Sequence, residues 1–457
     1  MMMRTLLVIA LLANAAPAAW RAGAAKVKIT PSEPIFLAGY AGRTKPSEGV
    51  LQDIWIKAAA FQDGAGPVTV ITTSDLVGLD TGTIEEVQRR VLARHGVPRE
   101  RILFNYSHNH SCPVTGQVLH LYYNLSPEQS AAVARYTARL HDWYVEAISG
   151  AIGALAPAEL SFEQGLAGFA VNRRRARPGG RRLPGPVDHD VPVMAVRSGD
   201  RLRAILFGYS CHATALSGNE INGDYPGYAQ QELETAYPDA VALFVMGCGG
   251  DANPLPRVMN STGGEAVGLA SMYGKILAAA VRQVLGGKMK TVGGPLRVAY
   301  GVADLPFRKA PSRETLLARR KSLTGLPLRF NDYLLKILER DGKLEEKHPY
   351  PVHVWRFGED LTFIGLTGET VADYCLRFKG EYGWDNTWVA GYNNELLSYI
   401  PSLRVLREGG YEGTDGMAEY GRPAPYAPAV EEVIAHKVAE LAEELGLKPA
   451  AAAGRER

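Results

Sequence analysis

The stretch "RILFNYSHNHSCPVTG" (Arg101–Gly116) joins an apolar run, Ile102-Leu103-Phe104, to two histidines one residue apart. The run reads as a short β-strand. On a strand, residues i and i+2 face the same side, roughly 6.5 Å apart along the chain. His108 and His110 are therefore expected to look into one site at a strand's C-terminal end, where α/β sheets commonly build their clefts. Taken alone, His-x-His describes two metal ligands or two ordinary polar residues ending a strand.

The pattern around this stretch alternates. "IWIKAAAFQD" and "VTVITTSDLVGL" before it read as strands, as do "VPVMAVRS", "RAILFGYSCHAT", "AVALFVMGCGG", "DLTFIGLTGE" and "NTWVAGYNNE" after it. Between them lie helical patterns. "TGTIEEVQRRVLARHG" is closed by Gly96, and "SPEQSAAVARYTARLHDWYVEAISGAIGAL" opens with Ser126 as cap and Pro127 at the first position. "GYAQQELETAY", "EAVGLASMYGKILAAAVRQVLG", "TVADYCLRFKGEYG" and "AVEEVIAHKVAELAEELG" follow. Such alternation predicts a layered α/β fold, its sheet mixed or largely parallel, with the active site at strand C-terminal ends. No linker and no repeat divides it, so one domain is expected over residues 26–447, followed by an Ala-rich tail over 448–457.

With 457 residues the chain can bury a sizeable core. Its 50 lysines and arginines against 48 acidic residues leave no global field for nucleic acid. Residues 1–25 have the layout of a secretory signal peptide: Arg4, an apolar run of about a dozen residues, then small residues suited to cleavage near Ala22 to Ala25. An exported protein, periplasmic or secreted, is the expectation. Four cysteines, Cys112, Cys211, Cys248 and Cys375, are too few for a disulfide scaffold, and the sequence leaves them open as buried hydrophobes or a bridged pair.

Three further strands end in chemistry. "AILFGYSCHAT" delivers His212, "AVALFVMGCGGDANP" delivers a glycine-rich turn that lets backbone approach a ligand, and "LTFIGLTGE" delivers Glu369. Imidazole and carboxylate are the ligands of a catalytic zinc that keeps one position open. Asp75 and Asp251 are carboxylates that could instead orient a ligating imidazole.

In their order and spacing, "KVKITP", "LAGYAGR", "SDLVGL", "SHNHSCP", "VNRRR", "SCHAT", "GCGGDANP", "TGE" and "YIPSLRVLREGGYEG" resemble the catalytic domain of the neutral ceramidases, zinc-dependent amidases that cleave the N-acyl bond of ceramide. The resemblance spans most of the chain. It implies His108, His212, Glu369 and Tyr399 as zinc ligands, with His110, Tyr411 and Arg173 on the substrate. Tyrosine is an uncommon zinc ligand, because only a nearby cation makes its phenolate accessible. Two departures stand out. Asn253 occupies the position of the family's serine and cannot act as a nucleophile, although its amide can donate to an oxyanion. The chain also ends where the family adds an immunoglobulin-like domain.

These readings converge on a zinc hydrolase for an N-acyl amide, with a small acylated molecule as substrate and contact with membrane lipid as an option. An esterase or deacylase for another acylated compound, and a metal-holding binding protein without catalysis, remain the alternatives. Of the six arginines in "NRRRARPGGRR", Arg173 is expected to point inward and the others outward. The polar loop also favours a smaller or more polar acyl compound over long-chain ceramide.

Overall fold

A computed structural model describes residues 20–175, 185–257 and 263–449. Among them are nineteen strands: β1 Trp20–Lys28, β2 Gly49–Val50, β3 Trp55–Asp63, β4 Thr69–Ser74, β5 Ile102–Tyr106, β6 Ala156–Leu166, β7 Ala170–Asn172, β8 Asp190–Ser198, β9 Arg201–Tyr209, β10 Glu220–Ile221, β11 Val241–Met246, β12 Ala252–Pro254, β13 Lys290–Val292, β14 Leu296–Pro306, β15 Lys347–Phe357, β16 Leu361–Thr367, β17 Glu369–Thr370, β18 Thr387–Asn393 and β19 Tyr399–Ile400. Thirteen form one sheet in the order β11-β9-β8-β6-β1-β3-β4-β5-β18-β16-β15-β14, with β13 on β6. The remaining six make three two-stranded ribbons, β2/β10, β7/β12 and β17/β19.

The sheet is mixed and mostly antiparallel. Parallel pairing occurs at β9/β11, β4/β5 and β16/β18, and the functional loops leave from the C-terminal ends of these same strands. The sheet turns over on itself, so that Trp20, Phe61, Leu103, Phe162, Leu206, Leu243, Trp355, Phe363 and Trp388 share one interior core drawn from both halves. Asn105 closes the turn. Its buried amide donates to Gly391 O at 2.9 Å and Asn393 Oδ1 at 3.0 Å, and accepts from Met246 N at 2.8 Å. A buried amide satisfied this fully ties β5, β11 and β18 at one point.

Helices cover the outer faces. The core that includes Ile56, Ile84, Phe104, Leu140 and Leu277 is sealed by α1 (Thr81–His95), α2 (Pro127–Gly153), α3 (Asp224–Ala236) and α4 (Gly264–Gly286). Ser126 caps α2 through a capping box with Gln129, and Pro127 stands at its start as expected. Asp80 caps α1, and Gly96 closes it in the left-handed region. On the other half, α7 (Ala372–Tyr382) and α10 (Val430–Glu444) cover β14–β16 and β18. A short pair, α5 (Arg313–Arg320) and α6 (Gly325–Asp341), packs together, and the short α8 (Leu403–Glu408) and α9 (Gly410–Gly413) follow β19. No helix among the described residues is long and apolar enough to cross a membrane.

Two expectations change here. Strand β1 starts at Trp20, and Trp20 to Ala25 pair with β3 while Trp20 to Ala22 also pair with β6. The folded unit thus begins before Lys26, and cleavage between Ala22 and Ala25 would cut a central strand. The strands β1, β6, β14 and β15 were also missed, since only part of each is apolar or it is broken by Gly and Pro.

Candidate metal centre

The two histidines of the opening stretch do not lie on a strand. β5 ends at Tyr106, and His108 takes a left-handed backbone with φ of 55°. The premise of i and i+2 facing together fails, yet both rings reach one place: His110 Nε2 is 3.1 Å from His108 Nε2. β9 likewise ends at Tyr209, three residues short of His212, and its loop is drawn in by the bond from His212 N to Ala252 O, 3.0 Å. Glu369 follows Gly368, whose φ of 75° turns the chain off β16. Its register partner across the β17/β19 ribbon is Tyr399.

His108 Nδ1 lies 2.6 Å from Val77 O, and His212 Nδ1 lies 2.7 Å from Gly249 O. A carbonyl only accepts, so each Nδ1 carries its proton and each neutral ring turns a lone pair outward at Nε2. Both lone pairs point at the same atom: Glu369 Oε2 is 3.2 Å from His108 Nε2 and 3.1 Å from His212 Nε2. Three acceptors converging in a buried place need a cation among them. Burial, and next Arg173, push the His212 imidazole down to about 4, so that ring is neutral at neutral pH. Tyr399 OH stands 3.4 Å from His212 Nε2.

These spacings fit a metal. Zinc bonds of about 2.0–2.1 Å set the corners of a ligand tetrahedron about 3.3–3.4 Å apart. The contacts of Glu369 with His108 and His212, and of Tyr399 with His212, have spacings of that order. One ring nitrogen each from His108, His110 and His212 also lies within 4.8 Å of the others. His110 differs from its neighbours, because its Nδ1 is buried with no partner, where a ligating imidazole normally anchors its second nitrogen. Its ring is seated on Gly39, where a Cβ would come within 2.4 Å of His110 Cγ. Burial, then His108 and His212, hold its pKa well below the usual range.

Arg173 points inward. Its Nη2 donates to Tyr399 OH at 3.0 Å, and its guanidinium lies 5.4 Å from the Tyr399 ring centre and 5.7 Å from that of Tyr411. Burial raises the Tyr399 phenol well above its ordinary range, and the adjacent Arg173 opposes that rise. Glu412 holds the arginine through Nε at 2.6 Å. Arg174 does not point outward as expected: it is 9 % exposed, paired with Glu412 at 2.6 Å and Glu408 at 3.2 Å. Arg175 reaches Glu408 at 2.7 Å on the surface side. Arg177, Arg181 and Arg182 lie outside the described residues.

Asn253 sits on β12, opposite Val171 of β7, so the ribbon presents it beside Arg173. Its amide is best turned with Oδ1 accepting from Arg257 Nη1 at 3.1 Å and Nδ2 donating to Ala252 O at 3.2 Å. One N–H then remains for a ligand. Tyr411 is 41 % exposed, with its ring centre 5.2 Å from that of Tyr399 and its hydroxyl donating to Glu419.

Neither aspartate holds an imidazole. Asp251 accepts from Asn172 Nδ2 at 2.7 Å and Ala372 N at 2.9 Å, bracing the loops behind Arg173 and Glu369. Asp75 accepts from Trp55 N and Gln230 Nε2. All four cysteines are buried and free. The segments "LHLYYNLSP" and "TGLPLRFNDYLLKI" meet through Arg329 Nε to Leu121 O at 2.9 Å, and Leu119, Tyr122 and Tyr123 are core residues. Sequence reasoning missed Tyr420, whose hydroxyl donates to Glu369 Oε1, and Tyr392, 3.4 Å from Glu369 Oε2. It also missed the carbonyls of Val77 and Gly249, which any residue could supply.

No protein-family model matches the chain, and no curated protein matches it. Solved structures do. The neutral ceramidase from Pseudomonas aeruginosa superimposes with a TM-score of 0.73 at 19% sequence identity, covering 96% of this chain and 76% of that one. A ceramidase complexed with C2 gives 0.72 at 18%, covering 96% and 77%. The chain has the fold of the neutral ceramidases.

Proposed function

We propose that the chain is a zinc-dependent hydrolase of an N-acyl amide. The observation that carries this reading is the convergence of two imidazole nitrogens on one carboxylate oxygen, at 3.2 and 3.1 Å, in a buried site. His108, His212, Glu369 and Tyr399 would hold the ion. Zinc so held supplies a Lewis acid for the acyl carbonyl and lowers the pKa of water it binds.

The chain's own residues divide the remaining work. In hydrolysis the water oxygen bonds to the acyl carbon, the C–N bond breaks, and a proton passes from water to the leaving nitrogen, giving a carboxylic acid and an amine. His110 is the proton carrier, since its ring stands in the site with one nitrogen unpartnered. The free N–H of Asn253 is the donor left for the developing oxyanion, and Tyr411, its hydroxyl engaged by Glu419, stands on the solvent side as a substrate contact. Arg173 keeps Tyr399 in place and favours its phenolate. The amine product is a poor leaving group as an anion, which is why a positioned proton donor matters more here than for an ester.

The test is metal analysis of the purified protein together with turnover of matched N-acyl and O-acyl substrates. Stoichiometric zinc, with activity lost on chelation and restored by zinc, is expected. A metal-free protein with full amidase activity overturns the reading.

A further inference from the structure

We infer that Tyr420 is a positioning residue for the metal site, its phenol occupying one oxygen of Glu369 so that the other alone faces the two imidazoles. The inference rests on the metal-site reading above. Glu369 has two carboxylate oxygens with different surroundings. Oε2 meets His108 and His212, while Oε1 accepts the hydroxyl of Tyr420. Tyr392 also lies near Oε2, at 3.4 Å. A carboxylate with both oxygens free can rotate and chelate a cation through both. A strong donor on Oε1 holds it to one.

The backbone around Tyr420 is built to keep that donor still. Tyr420 is the last residue of the 3₁₀ turn Asp415–Tyr420, and Gly421 ends it in the left-handed region with φ of 69°. A Cβ on Gly421 would come within 2.8 Å of the Tyr333 ring on α6, so the turn is pressed directly under that helix. Arg422 Nε then donates to Leu397 O at 3.0 Å, fastening the exit of the turn to the approach to Tyr399. The Tyr420 ring meets the Tyr399 ring edge-on, at 88° and 5.9 Å. The neighbouring Glu419 accepts from Tyr411. One short turn therefore governs a ligand carboxylate and a substrate-side tyrosine together, with a cavity of about 230 Å³ on its far side, lined in part by Leu119, His120, Ile337 and Tyr420.

The test is Tyr420→Phe, which keeps the ring against Tyr399 and removes only the hydroxyl. Zinc affinity, read by competition with a chromophoric chelator, should fall about 10–100-fold. The visible spectrum of the Co(II)-loaded protein should also differ from that of the parent. Gly421→Ala, which must displace the turn, should change both in the same direction. Parent-like affinity and spectrum in Tyr420→Phe would overturn the inference while leaving the metal site intact. A parent protein that binds no zinc would instead overturn the metal-site reading itself.

Discussion

Glu369 and Tyr399 are register partners in a parallel ribbon only two residues long, and His212 Nε2 reaches both, at 3.1 and 3.4 Å. The ribbon brings together a carboxylate that leaves one sheet strand and a phenol thirty residues later. His212→Ala removes the imidazole between them. That variant is expected to lose zinc on dialysis and activity with it, while the far-UV spectrum is kept. Normal zinc content by elemental analysis would remove His212 from the ligand set.

Arg173 and Arg175 stand two positions apart in sequence but differ in work. Loss of a hydrogen bond to a charged group costs about 1.5–3 kcal/mol, so Arg173→Met should lower kcat/KM roughly 10–150-fold. Arg175→Met should stay within about twofold, because it breaks only a surface ion pair of the kind worth at most about 1 kcal/mol. Steady-state kinetics on the two variants decide it, and equal effects would return Arg173 to a surface role.

Asn253 presents one unengaged N–H. If it donates to the oxyanion, Asn253→Ala should lower turnover about 10²–10³-fold. Asn253→Ser should keep measurable activity. An acyl group trapped covalently on any side chain, detected by mass spectrometry, would show that water does not attack directly.

The N-terminus gives an independent check. Trp20 is buried and its indole donates to Val292 O at 2.8 Å. If the leader is removed on export, the mature chain should start at or before Trp20. N-terminal sequencing of exported protein reads this directly. A chain begun at Lys26 loses two-thirds of β1 and all pairing between β1 and β6, and should accumulate as insoluble material.

Substrate size can be predicted from the rim. Leu119, Tyr122 and Tyr123 are core residues, whereas the exposed Tyr411 is flanked by the charged Arg173 and Glu419. Two long alkyl chains would need exposed apolar surface, since each buried methylene contributes about 0.8 kcal/mol. A short or polar N-acyl compound should therefore show a higher kcat/KM than long-chain ceramide in detergent. A clear preference for the long chain would sink this expectation.

The residue types with directional lone pairs, His108, His212 and Glu369, were legible because they follow apolar runs at strand ends. What escaped was whatever a side-chain letter does not encode. Val77 and Gly249 act through their carbonyls, and Tyr420 acts through a turn that α6 holds down. The strand rule that points to His108 is broken by its left-handed backbone, and it is the loop after β5 that carries its ring to His110 and Glu369. Arg174 read as solvent-facing, since the sequence does not show that Glu408 and Glu412 fold back over it. In the fold, antiparallel β14 and β15 escaped because glycines, prolines and charges interrupt their alternation, and burial there comes only from α10 and the turned-over sheet.

The amide of Asn105 joins strands whose contacts with it lie at residues 246, 391 and 393. Contacts so distant along the chain are slow to form, because loop closure must precede the bonds that reward it. The four proposed ligands are spread the same way. No portion of the chain that ends before Tyr399 carries all four proposed ligands. Ion uptake should therefore follow chain completion and report, in a refolding experiment, the last event rather than the first.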